Sequence, residues 1–219
     1  MPTIGIMQGR LLPPLDGRIQ AFPTEHWREE FVLARDAGFD CIEWIYEKSK
    51  DSLNPLESES GIKEIRRFTE QTGVRVSSIC ADYYMSELLV KPDGTENEKV
   101  VSNLRWLISQ SKKLDIKHIV LPFVEASSLA SQTHVETVSK IIRFVIPDAV
   151  YHDVELHLEA DLSPKLFRNL LKEIDHPFVK VNFDIGNSAA LGYDPIDELE
   201  ALSPFLGGIH VKDRLLGGD

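Results

Sequence analysis

Cysteine is scarce: Cys41 and Cys80 are the only two in 219 residues. They lie in separate strand-like runs without CxxC spacing, which argues against a disulfide framework and suits small core residues in a reducing compartment. Long apolar runs are missing too, none approaching the roughly 18 residues of a membrane span. The opening MPTIGIMQGR has no basic segment followed by an apolar one, so no signal peptide is expected and the cytosol (a cytoplasmic location) is the default. Basic runs are absent: 24 Lys and Arg face 35 Asp and Glu, a formal net charge of −11. Because Lys and Arg supply most non-specific affinity for phosphate backbones, this weighs against a nucleic-acid partner and favours a small, neutral or modestly charged ligand. No linker or low-complexity tract interrupts the chain, so residues 1–219 read as one domain, large enough to bury roughly 70% of its unfolded surface.

What the chain does have is seven short apolar, strand-like runs, at residues 3–7, 40–45, 74–81, 117–123, 154–159, 179–184 and 207–210. Segments of helical period separate them. Thr24 is expected to cap the first, in which Trp27, Phe31, Ala34 and Ala37 recur at spacings of three and four before Gly38. The pattern repeats at Ile62, Ile65 and Phe68 before Gly73, at Leu104, Leu107 and Ile108, and at Val138, Ile141, Ile142 and Val145. Pro164 and Pro195 mark the starts of two more helices. Alternating strands and helices imply parallel pairing with right-handed crossovers, and thus a (β/α)8 TIM barrel. Seven units consume the whole chain, so the barrel is expected to be C-terminally incomplete, lacking the eighth unit.

Glu159, Asp184 and His210 each end one of the last three runs, at nearly equal steps along the chain. Strand alternation puts all three on the polar side: Glu159 with His157 and Glu155, Asp184 with Asn182 and Lys180, His210 with Gly208 and Lys212. In such barrels strand C-termini form the active face. Two carboxylates and an imidazole there suit a divalent cation, Mn²⁺, Co²⁺, Zn²⁺ or Mg²⁺. Such an ion could bind neighbouring sugar oxygens and stabilise the enediolate formed when a carboxylate removes a carbon-bound proton; Glu159 is the natural base if its second oxygen is free. For any one position alone, a helix cap or a lysine pair is the competing reading. His157 reads as a hydrogen-bonded core residue or an orienting group. Lys212 and Arg214, beside Gly217 and Gly218, follow the seventh strand where barrels often bind phosphate, although a solvated loop is the competing reading. Gln8, Gly9 and Arg10 are further pocket candidates; Trp44 is expected to pack outward, Tyr83 and Tyr84 to line the mouth, and Pro122 and Phe123 to shape a loop.

The segments GIMQGRL, IQAFP, GFDCIEW, NPL, LHLEAD, NFDIGNS and GIHVKDR together resemble the xylose isomerase-like TIM-barrel superfamily of sugar and sugar-phosphate isomerases and epimerases. The resemblance implies that Glu159 is both metal ligand and acid/base, and that Asp184 and His210 are metal ligands. Asn187 falls where many relatives carry a substrate-binding histidine, so hydrogen bonding survives but a titrating group is lost. Glu43 matches a frequently acidic position near the substrate, with a salt-bridged strand end as the alternative. Relatives complete the site with a glutamate on the eighth strand; without it, the chain is expected to hold metal weakly and to lack half of a two-base mechanism.

The implied activity is metal-dependent isomerisation or epimerisation of a sugar or sugar phosphate. An inositol-type dehydratase of the same superfamily, or a truncated sugar-binding barrel without catalysis, are the alternatives. The abasic-site endonucleases of the superfamily use histidine-rich clusters, which fits poorly with seven histidines in total and the acidic balance. Bare edges on the first and seventh strands lead to a further expectation, aggregation or cover by another chain, as in a homo-oligomer.

Overall fold

A computed structural model describes residues 3–15, 17–47 and 54–217; Gly218 and Asp219 lie outside it. The elements run β1 (Gly5–Met7), α1 (Trp27–Asp36), β2 (Cys41–Ile45), α2 (Glu59–Thr72), β3 (Arg75–Cys80), α3 (Tyr83–Ser86), α4 (Glu98–Lys113) and β4 (His118–Phe123). They continue with α5 (Gln132–His152), β5 (Glu155–Ala160), α6 (Pro164–Ile174), β6 (Val179–Asp184), α7 (Ile185–Leu191), α8 (Pro195–Leu202) and β7 (Leu206–His210). All six strand pairings are parallel and follow chain order, β1 to β7. The sheet is curled, because Glu43 on β2 and His210 on β7 meet at 2.7 Å although four strands separate them in the order. This is the expected α/β barrel with about seven units.

Local chemistry explains most element ends. Ser58 accepts from the Gly61 amide at the start of α2, and Gly73 closes that helix in the left-handed conformation. Pro164 and Pro195 sit in the first turns of α6 and α8. Thr24 does not cap α1. The chain instead turns at Pro23, whose carbonyl accepts from the His26 and Trp27 amides, and the helix begins at Trp27.

The outward faces of the strands form the main core. Ile42, Trp44, Ile79, Ile119, Leu121, Leu156, Leu158 and Val181 have no exposed surface, and each contributes about 1.5–3 kcal/mol by burial against the helices. Trp44 packs outward as expected, against Trp27 at 5.4 Å and Phe22 at 5.5 Å, with its indole N–H donated to Asn54. Tyr84 is fully buried rather than lining the mouth, its hydroxyl donating to Asn103 Oδ1 at 3.0 Å. Tyr83 is half-buried and stacks beside Tyr46. The outward residues of the last strand differ: Ile209 is 52% exposed, and Val211 just beyond β7 is 81% exposed. Among the described residues, β1 and β7 pair neither with each other nor with an eighth strand. No described helix is long and apolar enough to cross a membrane.

Candidate metal centre

Parallel strands β5, β6 and β7 end side by side, and their final inward residues meet at the mouth of the barrel. One donor atom from each of Glu159, Asp184 and His210 can be chosen so that all lie within 4.8 Å of one another. His210 Nδ1 stands 3.3 Å from Glu159 Oε2 and 3.7 Å from Asp184 Oδ2. Glu159 and Asp184 are buried and His210 is partly buried. Two hard carboxylate oxygens and one imidazole nitrogen are a donor set that fits Mg²⁺, Mn²⁺, Co²⁺ or Zn²⁺.

Each ligand candidate is held by its neighbours. Asn182 donates its amide to Glu159 Oε2 at 2.7 Å, and Asn187 donates to Oε1 at 2.6 Å. The second oxygen of Glu159 is therefore occupied, contrary to the condition set for a free base. Arg214 donates to Asn187 Oδ1 at 2.7 Å, extending the chain of contacts away from Glu159. Asp184 realises both competing roles of an acidic strand end: Oδ1 caps α7 by accepting from the Asn187 amide at 2.8 Å, and Oδ2 pairs with Lys212 Nζ at 2.8 Å. Lys212 and Arg214, read either as phosphate contacts or as part of a solvated loop, are tied to the site: Lys212 touches Asp184 itself and Arg214 touches Asn187 beside it. The short helix α7 was not expected from periodicity; the signals for it are Asp184 as N-cap and Gly192 in the left-handed conformation at its end.

Glu43 lies within β2 and faces His210 Nε2 at 2.7 Å, an ion pair rather than a directed hydrogen bond. Burial opposes its charge, but His210, Ser78 and His118 outweigh that and hold Glu43 down to about 2. Burial likewise disfavours the His210 imidazolium, yet Glu43, Asp184 and Glu159 together push it up to about 12. Asp184 is also lowered, its burial outweighed by His210, Lys212 and the Asn187 amide. Ligation by His210 Nδ1 consequently requires loss of a proton.

Below the mouth lies a layer with a different balance. His157 is 1% exposed, its Nε2 paired with Glu155 Oε2 at 2.9 Å, and its ring stacks on His118 at 4.0 Å. Burial, with mutual repulsion added for His118, lowers both imidazoles to about 4, so both are neutral near pH 7. His157 is thus a packed inner residue and not one of the three converging donors. Its ring reaches β7 where the β6–β7 register slips between Val181 and Asn182. A Cβ on Gly207 would stand 2.5 Å from His157 Cε1 and 2.6 Å from Lys180 Cβ, so only glycine fits there.

The first-strand candidates have separate fates. Gln8 is fully buried and accepts the Ile45 amide through Oε1 at 3.0 Å, tying β1 to β2. Gly9, in the left-handed conformation, donates to Glu30 Oε1 at 2.6 Å. Arg10 reaches Gln20, which donates to Asp82 Oδ2 at 2.8 Å. Asp82 was not foreseen: it follows β3, also accepts from the Cys80 thiol, and burial pushes its carboxyl up to about 6. Cys41 and Cys80 are both buried free thiols.

A curled parallel sheet with helices outside and two carboxylates plus an imidazole at successive strand ends defines a TIM-barrel protein with a candidate metal centre. Residues 31–218 match the family described as xylose isomerase-like TIM barrel, and the chain belongs to that family. It is 25% identical over 214 residues to the L-ribulose-5-phosphate 3-epimerase UlaE of Escherichia coli, spanning 93% of this chain and 75% of that protein. A xylose isomerase-like TIM barrel protein from Mycobacterium smegmatis, solved in complex with magnesium, superposes with a TM-score of 0.74 at 20% identity, covering 96% of this chain and 74% of that one. D-Psicose 3-epimerase from Clostridium cellulolyticum, solved with D-tagatose, gives 0.70 at 16% identity, covering 95% and 72%. These two likenesses concern the fold.

Proposed function

We propose that this chain is a divalent-metal-dependent epimerase or isomerase of a sugar or sugar phosphate, working by proton transfer at a carbon next to a carbonyl. The observation that carries the reading is the convergence of Glu159, Asp184 and His210 at the barrel mouth. Similarity to a protein named L-ribulose-5-phosphate 3-epimerase supports epimerisation and a phosphorylated ketose. Glu159 Oε2, Asp184 Oδ2 and His210 Nδ1 would hold the ion. When bound, it would act as a Lewis acid on the substrate carbonyl.

The remaining chemistry belongs to the chain. Glu159 is divided between two tasks: Oε2 is turned to His210 and fixed by Asn182, while Oε1 is turned to Asn187. A substrate proton would be taken at Oε1 after the Asn187 amide turns aside, with Asn182 keeping the carboxylate plane in place; isomerisation would return that proton from Glu159 to the neighbouring carbon, whereas epimerisation would take a proton from a second acid on the opposite face of the substrate. Arg214 steadies Asn187 through its carbonyl oxygen and so sets how readily that amide turns.

Exchange of carbon-bound hydrogen with D₂O, followed by NMR on L-ribulose 5-phosphate and on unphosphorylated ketoses with Mn²⁺ or Mg²⁺ present, tests this assignment. Glu159→Gln should abolish exchange while circular dichroism and melting stay unchanged. Undiminished exchange in that variant would remove Glu159 from the mechanism, and loss of water from the substrate would favour a dehydratase instead.

A further inference from the structure

Asp184 has one oxygen to offer a cation and that oxygen is taken. Its Oδ1 is committed to the Asn187 amide, and its Oδ2 is paired with Lys212 Nζ at 2.8 Å while facing His210 Nδ1 at 3.7 Å. Three carboxylates, Glu43, Glu159 and Asp184, surround His210, and Lys212 contributes the ammonium of this group. The carboxylate is buried, its side chain 3% exposed, whereas the lysine side chain is 34% exposed and has a path to solvent. Near the start of α7, a Cβ on Gly186 would stand 2.5 Å from Lys212 Cγ and 3.1 Å from Cε, so the absence of a side chain there lets the lysine stem lie against the backbone.

We infer that Lys212 is a resident counter-cation of this site, and that a divalent metal and the Lys212 ammonium compete for Asp184 Oδ2. The inference rests on the metal reading above. Two cations sharing one carboxylate oxygen repel each other, and the ammonium, being the partly exposed and flexible partner, is the one that withdraws. By linkage, whatever free energy holds Lys212 on Asp184 is subtracted from metal affinity. Lys212 therefore neutralises buried Asp184 before metal arrives and makes the apo site foldable, at the expense of tight metal binding.

Calorimetric titration of MnCl₂ into the wild type, Lys212→Gln and Lys212→Arg tests the competition directly. Removing the charge should tighten Mn²⁺ binding by about tenfold, within the usual range of coupling between sites; Lys212→Arg, which keeps the charge, should stay near the wild type. In the wild-type protein, acetic anhydride labelling of Lys212, read by mass spectrometry, should rise when Mn²⁺ is added because the ammonium has left Asp184. Equal or weaker binding by Lys212→Gln, or labelling that fails to rise, would overturn this inference while leaving the metal site standing. Absence of Mn²⁺ binding in all three proteins would overturn the metal reading with it.

Discussion

Glu30 offers a measurable pH response remote from the ligand triad. It lies on α1, is 1% exposed, and accepts the Gly9 amide at 2.6 Å, which pins the loop leaving β1; its Oε2 is buried without a hydrogen-bond partner. Burial raises its pKa from 4.5 to about 7, the backbone amides of that loop offsetting only part of the cost. The native state therefore keeps a proton that the unfolded chain loses first, so stability falls as pH rises from about 4.5 to about 7 and is level above. At about 1.4 kcal/mol per pH unit, the full loss is about 3 kcal/mol. Other groups titrate in the same range, so the quantity to measure is the difference in unfolding free energy between wild type and Glu30→Gln, by urea denaturation at pH 5, 6, 7 and 8. Glutamine stays neutral and keeps an acceptor for Gly9, and its advantage over the wild type should grow by about 2.5 kcal/mol from pH 5 to pH 8, part of the loss having already occurred at pH 5. A constant difference would show that Glu30 is ionised throughout and refute the reasoning.

Three further outcomes follow from specific contacts. Gly207→Ala should cost about 1–3 kcal/mol in urea denaturation, because the added Cβ meets His157 and Lys180 inside 2.7 Å; unchanged stability would mean that β7 shifts freely. Tyr84→Phe should cost about 1 kcal/mol by removing the hydrogen bond to Asn103, and a neutral result would show that bond to add nothing. Asp184→Asn should keep the cap on α7 and the fold yet lose metal affinity by at least about a hundredfold, and His210→Ala should do the same; a full complement of bound Mn²⁺ in both would defeat the ligand assignment.

How far these features could be read from sequence depended on the range over which their causes act. Strand alternation is local, so the inward set Glu159, Asp184 and His210 and the outward set Leu156, Leu158 and Val181 were legible from period alone. The helix that Asp184 caps was shorter than the periodicity needed to detect it, and its cues were a single cap and a single glycine. Tyr84 looked like a mouth residue because tyrosine carries a polar tip, but Asn103 satisfies that tip inside the core. Contacts between distant strands were beyond reach: Glu43 against His210, and the His157 ring against Gly207, exist only because the sheet curls and the β6–β7 register slips. The same holds for the contact of Asp82 with Gln20, which arrives from the loop between β1 and α1, whereas its contact with Cys80 two residues earlier is local.

Asp184 shows why a structural and a functional reading of a strand-end carboxylate need not compete. The end of a parallel strand is where the next helix begins, so an acidic residue there meets unsatisfied backbone N–H groups and the positive end of the helix at once. Capping uses Oδ1 and fixes the carboxylate plane; this leaves Oδ2 pointing at His210 and Lys212 with little freedom to turn. Glu159 is immobilised in the same way by Asn182 and Asn187, through side chains that come from β6 and α7. The β6–α7 junction thus supplies one candidate ligand, the cap that orients it, and both amides that orient a second. Displacing α7 would disturb Asp184 and Glu159 together, so the candidate metal centre and the packing of this short helix form one cooperative unit.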